Sequence, residues 1–230
     1  MLIHGLQKMT LLDFPGRVAC TVFLAGCDFR CPFCHNSELL EGNVPAETDS
    51  DAFFRFLKTR QGLLDGVAVT GGEPLLYPEL GNLLEGIREL GFPVKLDTNG
   101  NHPDRLRRLM DAGLLSYVAM DIKNSPERYA ETAGVPGLDL GPVRESVSLL
   151  KEGCVDYEFR TTTVRQYHDD ASFRAIGPWL QGARRYFLQC FKDREMVAVR
   201  GLEAPAAEDI RRWREIVLPY VPDTFLRGTD

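Results

Sequence analysis

Three cysteines fall within one short segment, Gly26-Cys27-Asp28-Phe29-Arg30-Cys31-Pro32-Phe33-Cys34-His35-Asn36, at the spacing Cys-x3-Cys-x2-Cys. Gly26 and Pro32 oppose a regular helix, so the segment reads as a compact loop able to wrap three thiolates around one metal centre. A closed structural zinc site uses four ligands, and this loop offers three. A 4Fe–4S cluster held by three cysteines leaves one iron without a protein ligand, free to bind a substrate. Structural zinc, with His35 or a distant residue as fourth ligand, is the competing reading. It suffers from the strain of two adjacent ligands, Cys34 and His35, and from the lack of a second Cys-x2-Cys pair. Cys20, Cys154 and Cys190 are dispersed and read as core thiols.

Five further segments carry groups suited to binding a ligand. In Thr70-Gly71-Gly72-Glu73-Pro74, two glycines let a ligand lie against bare backbone, and carbonyls with the Glu73 carboxylate can accept from an ammonium group; an ordinary strand-to-helix turn is the alternative. Leu96-Asp97-Thr98-Asn99-Gly100 and Met120-Asp121-Ile122-Lys123 place carboxylates at strand ends, with Asp121 and Lys123 on one face. Arg160, in a run otherwise fit for burial, needs an anionic partner: Glu158, a neighbouring strand, or a bound carboxylate. Gln189 can reach a ribose or adenine, or be satisfied by backbone.

The elements that must position these groups alternate in type. Strands are expected at 18–24, 66–70, 93–98, 117–122, 157–163 and 185–190, nearly continuous in apolar residues as in a parallel sheet covered on both faces. Helices are expected from Ser50 or Asp51 to Arg60, and over 77–90, 103–113, 142–151, 169–180 and 205–216. Six β-then-α units imply an α/β fold with a parallel sheet. A barrel and an open doubly wound sheet both fit that rhythm. The candidate groups all fall at C-terminal strand ends, the active face of barrel-like α/β proteins, which favours a barrel. Residues 124–142 read as a long loop over that face with one short helix at most.

The 230 residues carry 27 basic and 33 acidic groups, a net charge of −6 that gives nucleic-acid binding no help. With 44% hydrophobic and 26% charged residues the chain is globular in composition, and 1–230 is expected to form one domain. No apolar run reaches the ~20 residues of a membrane span. The first residues lack the pattern of an export signal, so a cytoplasmic protein with reduced thiols is expected. No Gly-x4-Gly-Lys-[Ser/Thr] loop is present.

Cys27-x3-Cys31-x-Phe33-Cys34 resembles the signature of the radical S-adenosylmethionine superfamily. Asp13-Phe14-Pro15-Gly16, then Val22-Phe23-Leu24-Ala25-Gly26-Cys27, and Cys34-His35-Asn36 resemble the glycyl radical enzyme activases, above all those of anaerobic ribonucleotide reductase. One departure is visible: where activases often have Asp-Gly-Pro-Gly-x-Arg, Phe14 replaces the first Gly and Arg17 comes one place early. The resemblance implies a partial (β/α)6 TIM-like barrel holding a 4Fe–4S cluster on Cys27, Cys31 and Cys34, with S-adenosyl-L-methionine on the open iron. It implies that Phe33 lies beside the adenine, that Gly71, Gly72 and Glu73 receive the methionine amino group, and that Asp97, Thr98, Asp121 and Lys123 surround the methionyl end. The two Asp would also hold a monovalent cation. Arg160 and Gln189 are the remaining cofactor-binding candidates. The implied reaction reduces the sulfonium to methionine and a 5′-deoxyadenosyl radical, which takes hydrogen from a backbone glycine of a partner enzyme. The implied partners are an anaerobic ribonucleotide reductase and a flavodoxin or ferredoxin type electron donor. With no cysteine between Cys34 and Gly71, the inserted ferredoxin-like clusters of some activases are absent. Competing readings are a radical enzyme acting on a small molecule or peptide, and a non-catalytic iron–sulfur or zinc protein. Few polar residues remain for a small substrate, and a short barrel leaves a wide lateral mouth. Loop 124–142, with Arg128 and Tyr129, is therefore the expected docking surface for the partner.

Overall fold

The computed structural model describes every residue except Cys154, Glu195 and Asp230, so the reading of Cys154 as a core thiol lies outside the described residues. The chain opens with strands β1 (Leu2–Ile3), β2 (Gly5–Thr10) and β3 (Ala19–Leu24), followed after the three-cysteine loop by β4 (Thr48–Asp49) and helix α1 (Ser50–Lys58). Strand and helix then alternate: β5 (Gly66–Gly71), α2 (Leu80–Glu89), β6 (Val94–Thr98), α3 (Pro103–Asp111), β7 (Tyr117–Asp121). Two helices, α4 (Tyr129–Ala133) and α5 (Gly141–Lys151), precede β8 (Asp156–Thr163); α6 (Asp170–Trp179), β9 (Tyr186–Cys190), α7 (Ala207–Val217) and β10 (Thr224–Arg227) complete the order.

Eight strands form one sheet in the order β10-β9-β8-β7-β6-β5-β3-β2, while β1 and β4 pair separately. The six expected strands are its parallel centre. To these the structure adds an antiparallel β2 at one edge and a parallel β10 at the other. β2 is mostly exposed and β10 has only four residues, so neither shows a buried apolar run in the sequence. The sheet must curl. Laid flat, β3 and β9 would stand roughly 24 Å apart at ~4.8 Å per strand, yet Phe23 of β3 and Gln189 of β9 line one cavity. β2 and β10 do not pair, so the result is a partial barrel, open along one side.

Local chemistry fixes the helices. Leu80, Leu83, Leu84 and Ile87 bury one face of α2 at 3.6-residue spacing, and Gly91 (φ 87°) ends the segment in the left-handed region. The single helix expected over 77–90 is shorter. Pro74–Leu76 makes a 3-10 turn capped by Glu73, Tyr77 is extended, and α2 begins only after Pro78. α1 is capped by Asp49, whose side chain accepts from the Ala52 amide, in place of Ser50 or Asp51. Among the described residues no helix is long and apolar enough to cross a membrane.

Candidate active site

The three-cysteine loop leaves β3 and is fixed from several directions. Glycine is obligatory where β5 ends against it. A Cβ on Gly71 would lie 2.2 Å from the Leu24 carbonyl oxygen, and one on Gly72 would lie 2.0 Å from that of Gly26. The gap is closed by main-chain bonds, the amides of Gly72 and Glu73 donating to Leu24 and Gly26 at 2.7 and 2.8 Å. Asn36 Nδ2 donates to the Gly71 carbonyl at 3.1 Å and Tyr77 Oη to that of Ala25 at 2.8 Å. From α4, the Ala133 carbonyl accepts the Arg30 amide at 2.8 Å. The segment after β9 straps the far side: Val199 donates its amide to the Pro32 carbonyl at 2.9 Å, His35 Nε2 bonds the Lys192 carbonyl at 2.8 Å, and Ser37 bonds the Met196 carbonyl.

These elements enclose a cavity of about 300 Å³ at the C-terminal ends of the strands, the lower end of ligand-pocket sizes. Cys27, Cys31, Cys34, Phe33, Gly71, Gly72, Asp97, Thr98, Asp121, Lys123, Arg160 and Gln189 all line it. Glu73 does not. It is fully buried beneath the wall, where Oε1 accepts from the Leu75 amide (3.0 Å) and the Thr98 hydroxyl (2.9 Å) and Oε2 from the Asn99 amide (2.7 Å). Burial pushes its pKa up to about 7. Three donors from the walls occupy part of its acceptor capacity and fix the carboxylate in place.

Inward-facing charges from three strands form one network. Arg160 donates from Nη2 to Asp97 Oδ2 at 3.0 Å and from Nε to Asp121 Oδ1 at 2.5 Å; Lys123 reaches Asp121 Oδ2 at 2.8 Å and Lys95 bonds Asp97. Burial opposes ionisation of Asp121, but the charges of Arg160 and Lys123 more than offset it and hold the carboxyl well below the usual range. Three cations to two carboxylates leave one positive charge in excess, suited to a carboxylate ligand. The guanidinium stands between Asp97 and Asp121, the two carboxylates expected to hold a monovalent cation. Arg160 pairs with neighbouring strands and not with Glu158, which is held by Arg227 (2.7 and 2.9 Å) and the Tyr117 hydroxyl (2.8 Å).

The donor set fits a thiolate-ligated cluster. Burial pushes the Cys27 thiol up to about 12, Cys31 up to about 11 and Cys34 upward, while the Lys123 charge draws all three back down. Protonated buried thiols are poor ligands until a metal centre displaces their protons. The Phe29 amide lies 3.4 Å from Cys27 Sγ, ready to donate to a thiolate there. Among the described residues no three His, Cys, Asp or Glu converge as the ligands of a single ion do. His35 stacks on Phe191 at 5.5 Å and spends Nε2 on a carbonyl.

Two other expectations are corrected. Tyr129 is buried, not a docking contact: its hydroxyl donates to the Asp121 carbonyl at 3.3 Å and its ring packs on Phe29 and Trp179. Arg128 is engaged by Glu131 and Asp169, and the segment holds the cysteine loop through the Ala133 carbonyl, which accepts the Arg30 amide. Cys20 is a core thiol, but Cys190 is only half-buried at the end of β9. Asp13, Phe29, Asn99 and Thr162 also line the cavity and were missed. Thr162 follows Glu158 and Arg160 at period two, a signal the sequence carried; Asp13 reaches the cavity from a loop and accepts the Thr21 hydroxyl at 2.6 Å, which no local pattern announces.

The sequence profile of the Radical SAM superfamily matches residues 21–170. A Methanocaldococcus jannaschii protein, provisionally named a glycyl-radical enzyme activating enzyme, is 28% identical over 98% of this chain and 95% of its own length. The pyruvate formate-lyase-activating enzyme of Clostridium pasteurianum is 34% identical over 43% of each chain, and the 7-carboxy-7-deazaguanine synthase of Hyperthermus butylicus is 36% identical over 56% of this chain and 51% of that one. Streptococcus suis SuiB, solved with its precursor peptide SuiA, superimposes with a TM-score of 0.71 at 15% identity over 90% of this chain and 48% of its own. That likeness concerns the fold, and the chain spans about half of these last three proteins.

Proposed function

The chain belongs to the Radical SAM superfamily, and from that membership we propose that it activates a glycyl radical enzyme, an anaerobic ribonucleotide reductase, by installing a radical on a backbone glycine. The observation that carries the reading is the similarity over 98% of the chain to a protein provisionally named as such an activase. The unpaired edges β2 and β10 support it, since a barrel open along its side admits a polypeptide loop.

When bound, the cluster would supply one electron for the reductive cleavage of S-adenosylmethionine, the chemistry by which a hydrogen atom would be taken from the glycine Cα. The protein's own part is to hold and orient. Cys27, Cys31 and Cys34 would ligate three irons, and Phe33 would pack beside the adenine. The excess positive charge around Arg160 and Lys123 would seat the methionyl carboxylate, with the carbonyls at Gly71 and Gly72 receiving the amino group. A flavodoxin or ferredoxin type protein would deliver the electron.

The test is anaerobic reconstitution with dithionite, S-adenosylmethionine and an anaerobic ribonucleotide reductase. A glycyl radical doublet in the reductase, with 5′-deoxyadenosine formed in step, is the expected result. 5′-Deoxyadenosine without a radical on that reductase or on pyruvate formate-lyase would overturn it and favour a small substrate, the reading to which the deazaguanine synthase similarity points.

A further inference from the structure

Asp28 follows the first cysteine of the loop, and its carboxylate gathers three groups from a distant turn. Oδ1 accepts from Asn99 Nδ2 at 2.7 Å; Oδ2 accepts from Asn101 Nδ2 at 2.7 Å and lies 3.0 Å from His102 Nε2. All three partners sit on the turn that leaves β6. Glu73 fastens the same turn from the opposite side through the Thr98 hydroxyl and the Asn99 amide. Asn99 Oδ1 closes the turn on itself by accepting the Asn101 amide at 2.9 Å. Held in this way, the Asn99 side-chain amide lies 3.9 Å from Cys27 Sγ, and Asp28 Oδ1 lies 4.0 Å from the same sulfur.

The arrangement joins two physical effects. One is mechanical: with side chains only 22% and 24% exposed, Asp28 and His102 are a shielded tie between the cysteine loop and the turn. The other is electrostatic. Asp28 Oδ1 lies 4.0 Å from Cys27 Sγ, and the carboxylate is met by nitrogens of Asn99, Asn101 and His102, the surroundings of an ionised carboxylate. A bare negative charge there would oppose adding an electron to a cluster ligated by that sulfur, and charge and hydrogen bonds around the sulfurs set such potentials.

We propose that Asp28 is a positioning residue for the reduction step: through Asn99, Asn101 and His102 its carboxylate pins the turn 99–102 over Cys27, and those same donors absorb a charge that would otherwise act on the sulfur. The inference rests on Cys27 as a cluster ligand. It assigns a purpose to His102, which otherwise only precedes α3 without capping it.

Changes on the two sides of this tie should act oppositely on the reconstituted enzyme. Asp28→Asn removes the charge and should raise the midpoint potential of the cluster. Asn101→Ala with His102→Ala leaves the charge but strips two of its donors, and should lower it. Iron content should be kept in both. In the cluster-free protein the double variant loosens the turn, so Cys27 should be alkylated by iodoacetamide at least about tenfold faster, since two charge-assisted hydrogen bonds are lost and one alone accounts for about that factor, with Cys34 unchanged. Midpoints that stay put or move in the same direction would overturn the electrostatic half, and an unchanged Cys27 rate would overturn the pin. The alkylation rates are read without iron, so they decide even if the variants fail to load a cluster. Full cluster loading in Cys27→Ala would instead sink the ligand assignment.

Discussion

At the scale of single residues, the site divides into groups that face the cavity and groups that hold those groups. Cys27→Ala, Cys31→Ala and Cys34→Ala should each abolish stable cluster loading, because two thiolates do not hold a cubane. Cys20→Ala and Cys190→Ala should keep iron at the wild-type level, one thiol being in the core and the other at the end of β9; iron and sulfide analysis after anaerobic reconstitution checks this. Arg160→Met leaves Asp97 and Asp121 facing each other with only Lys95 and Lys123 as partners. Removing one member of a buried ion network typically costs about 3–5 kcal/mol. The remaining lysines place the expected loss at the lower end, read by urea unfolding of the cluster-free protein. The cysteine spacing and the strand-end carboxylates were legible in the sequence because each is a local pattern. The partners of Glu73 were not legible because they lie across the sheet: it accepts from the Thr98 hydroxyl at the end of β6 and from the Asn99 amide beyond it. Lys95 carried no expectation of its own, and it meets Asp97 two residues along its own strand.

At the scale of elements, segment 124–142 changes meaning. A Cβ on Gly134, which sits at φ 67°, would lie 2.1 Å from the Arg30 carbonyl oxygen. Gly134→Ala therefore adds a main-chain clash to the ~1–2 kcal/mol of left-handed strain. It should lower cluster loading, so that cofactor cleavage and glycyl radical formation fall together. A variant losing only radical formation would restore the segment as a docking surface. The six central strands and most helices were readable from apolar runs, caps and glycine stops, with boundaries displaced by one to three residues. The edge strands escaped because β2 exposes three residues in a row, Gln7, Lys8 and Met9, and owes its place to pairing with β3. Curling of the sheet is likewise a property of strands together, and no single run encodes it.

At the scale of the whole molecule, stability should depend on pH through His168. The ring is buried, its Nδ1 placed 3.1 Å from the Val164 amide and its Nε2 2.9 Å from the Lys123 carbonyl, an arrangement for neutral imidazole. Burial lowers its pKa from 6.5 to about 4. The unfolded chain then binds more protons than the folded one between those values, so stability is full above pH 6.5 and drains as pH falls toward 4. A lowering of that size corresponds to about 3 kcal/mol. Glu73, raised by burial, works in the opposite sense over pH 4.5 to 7. The informative quantity is therefore the difference between wild type and His168→Gln, whose unfolding free energies should converge by that amount as the solution is acidified. Parallel curves would mean that the imidazole is charged in the fold.

The strap across the cysteine loop has a consequence in time. Cys27, Cys31 and Cys34 are synthesised early, yet the bonds of His35 to Lys192 and of Ser37 to Met196 span 157 and 159 residues. Contacts of such separation form late, since the entropy of closing the intervening chain is lost before any of it is repaid. On a nascent chain the three thiols are consequently mobile and accessible long before their enclosure exists, and metal delivered then meets an unfinished mould. Enclosure of the three thiols thus waits until Lys192 and Met196, 157 and 159 positions beyond their partners, have been made.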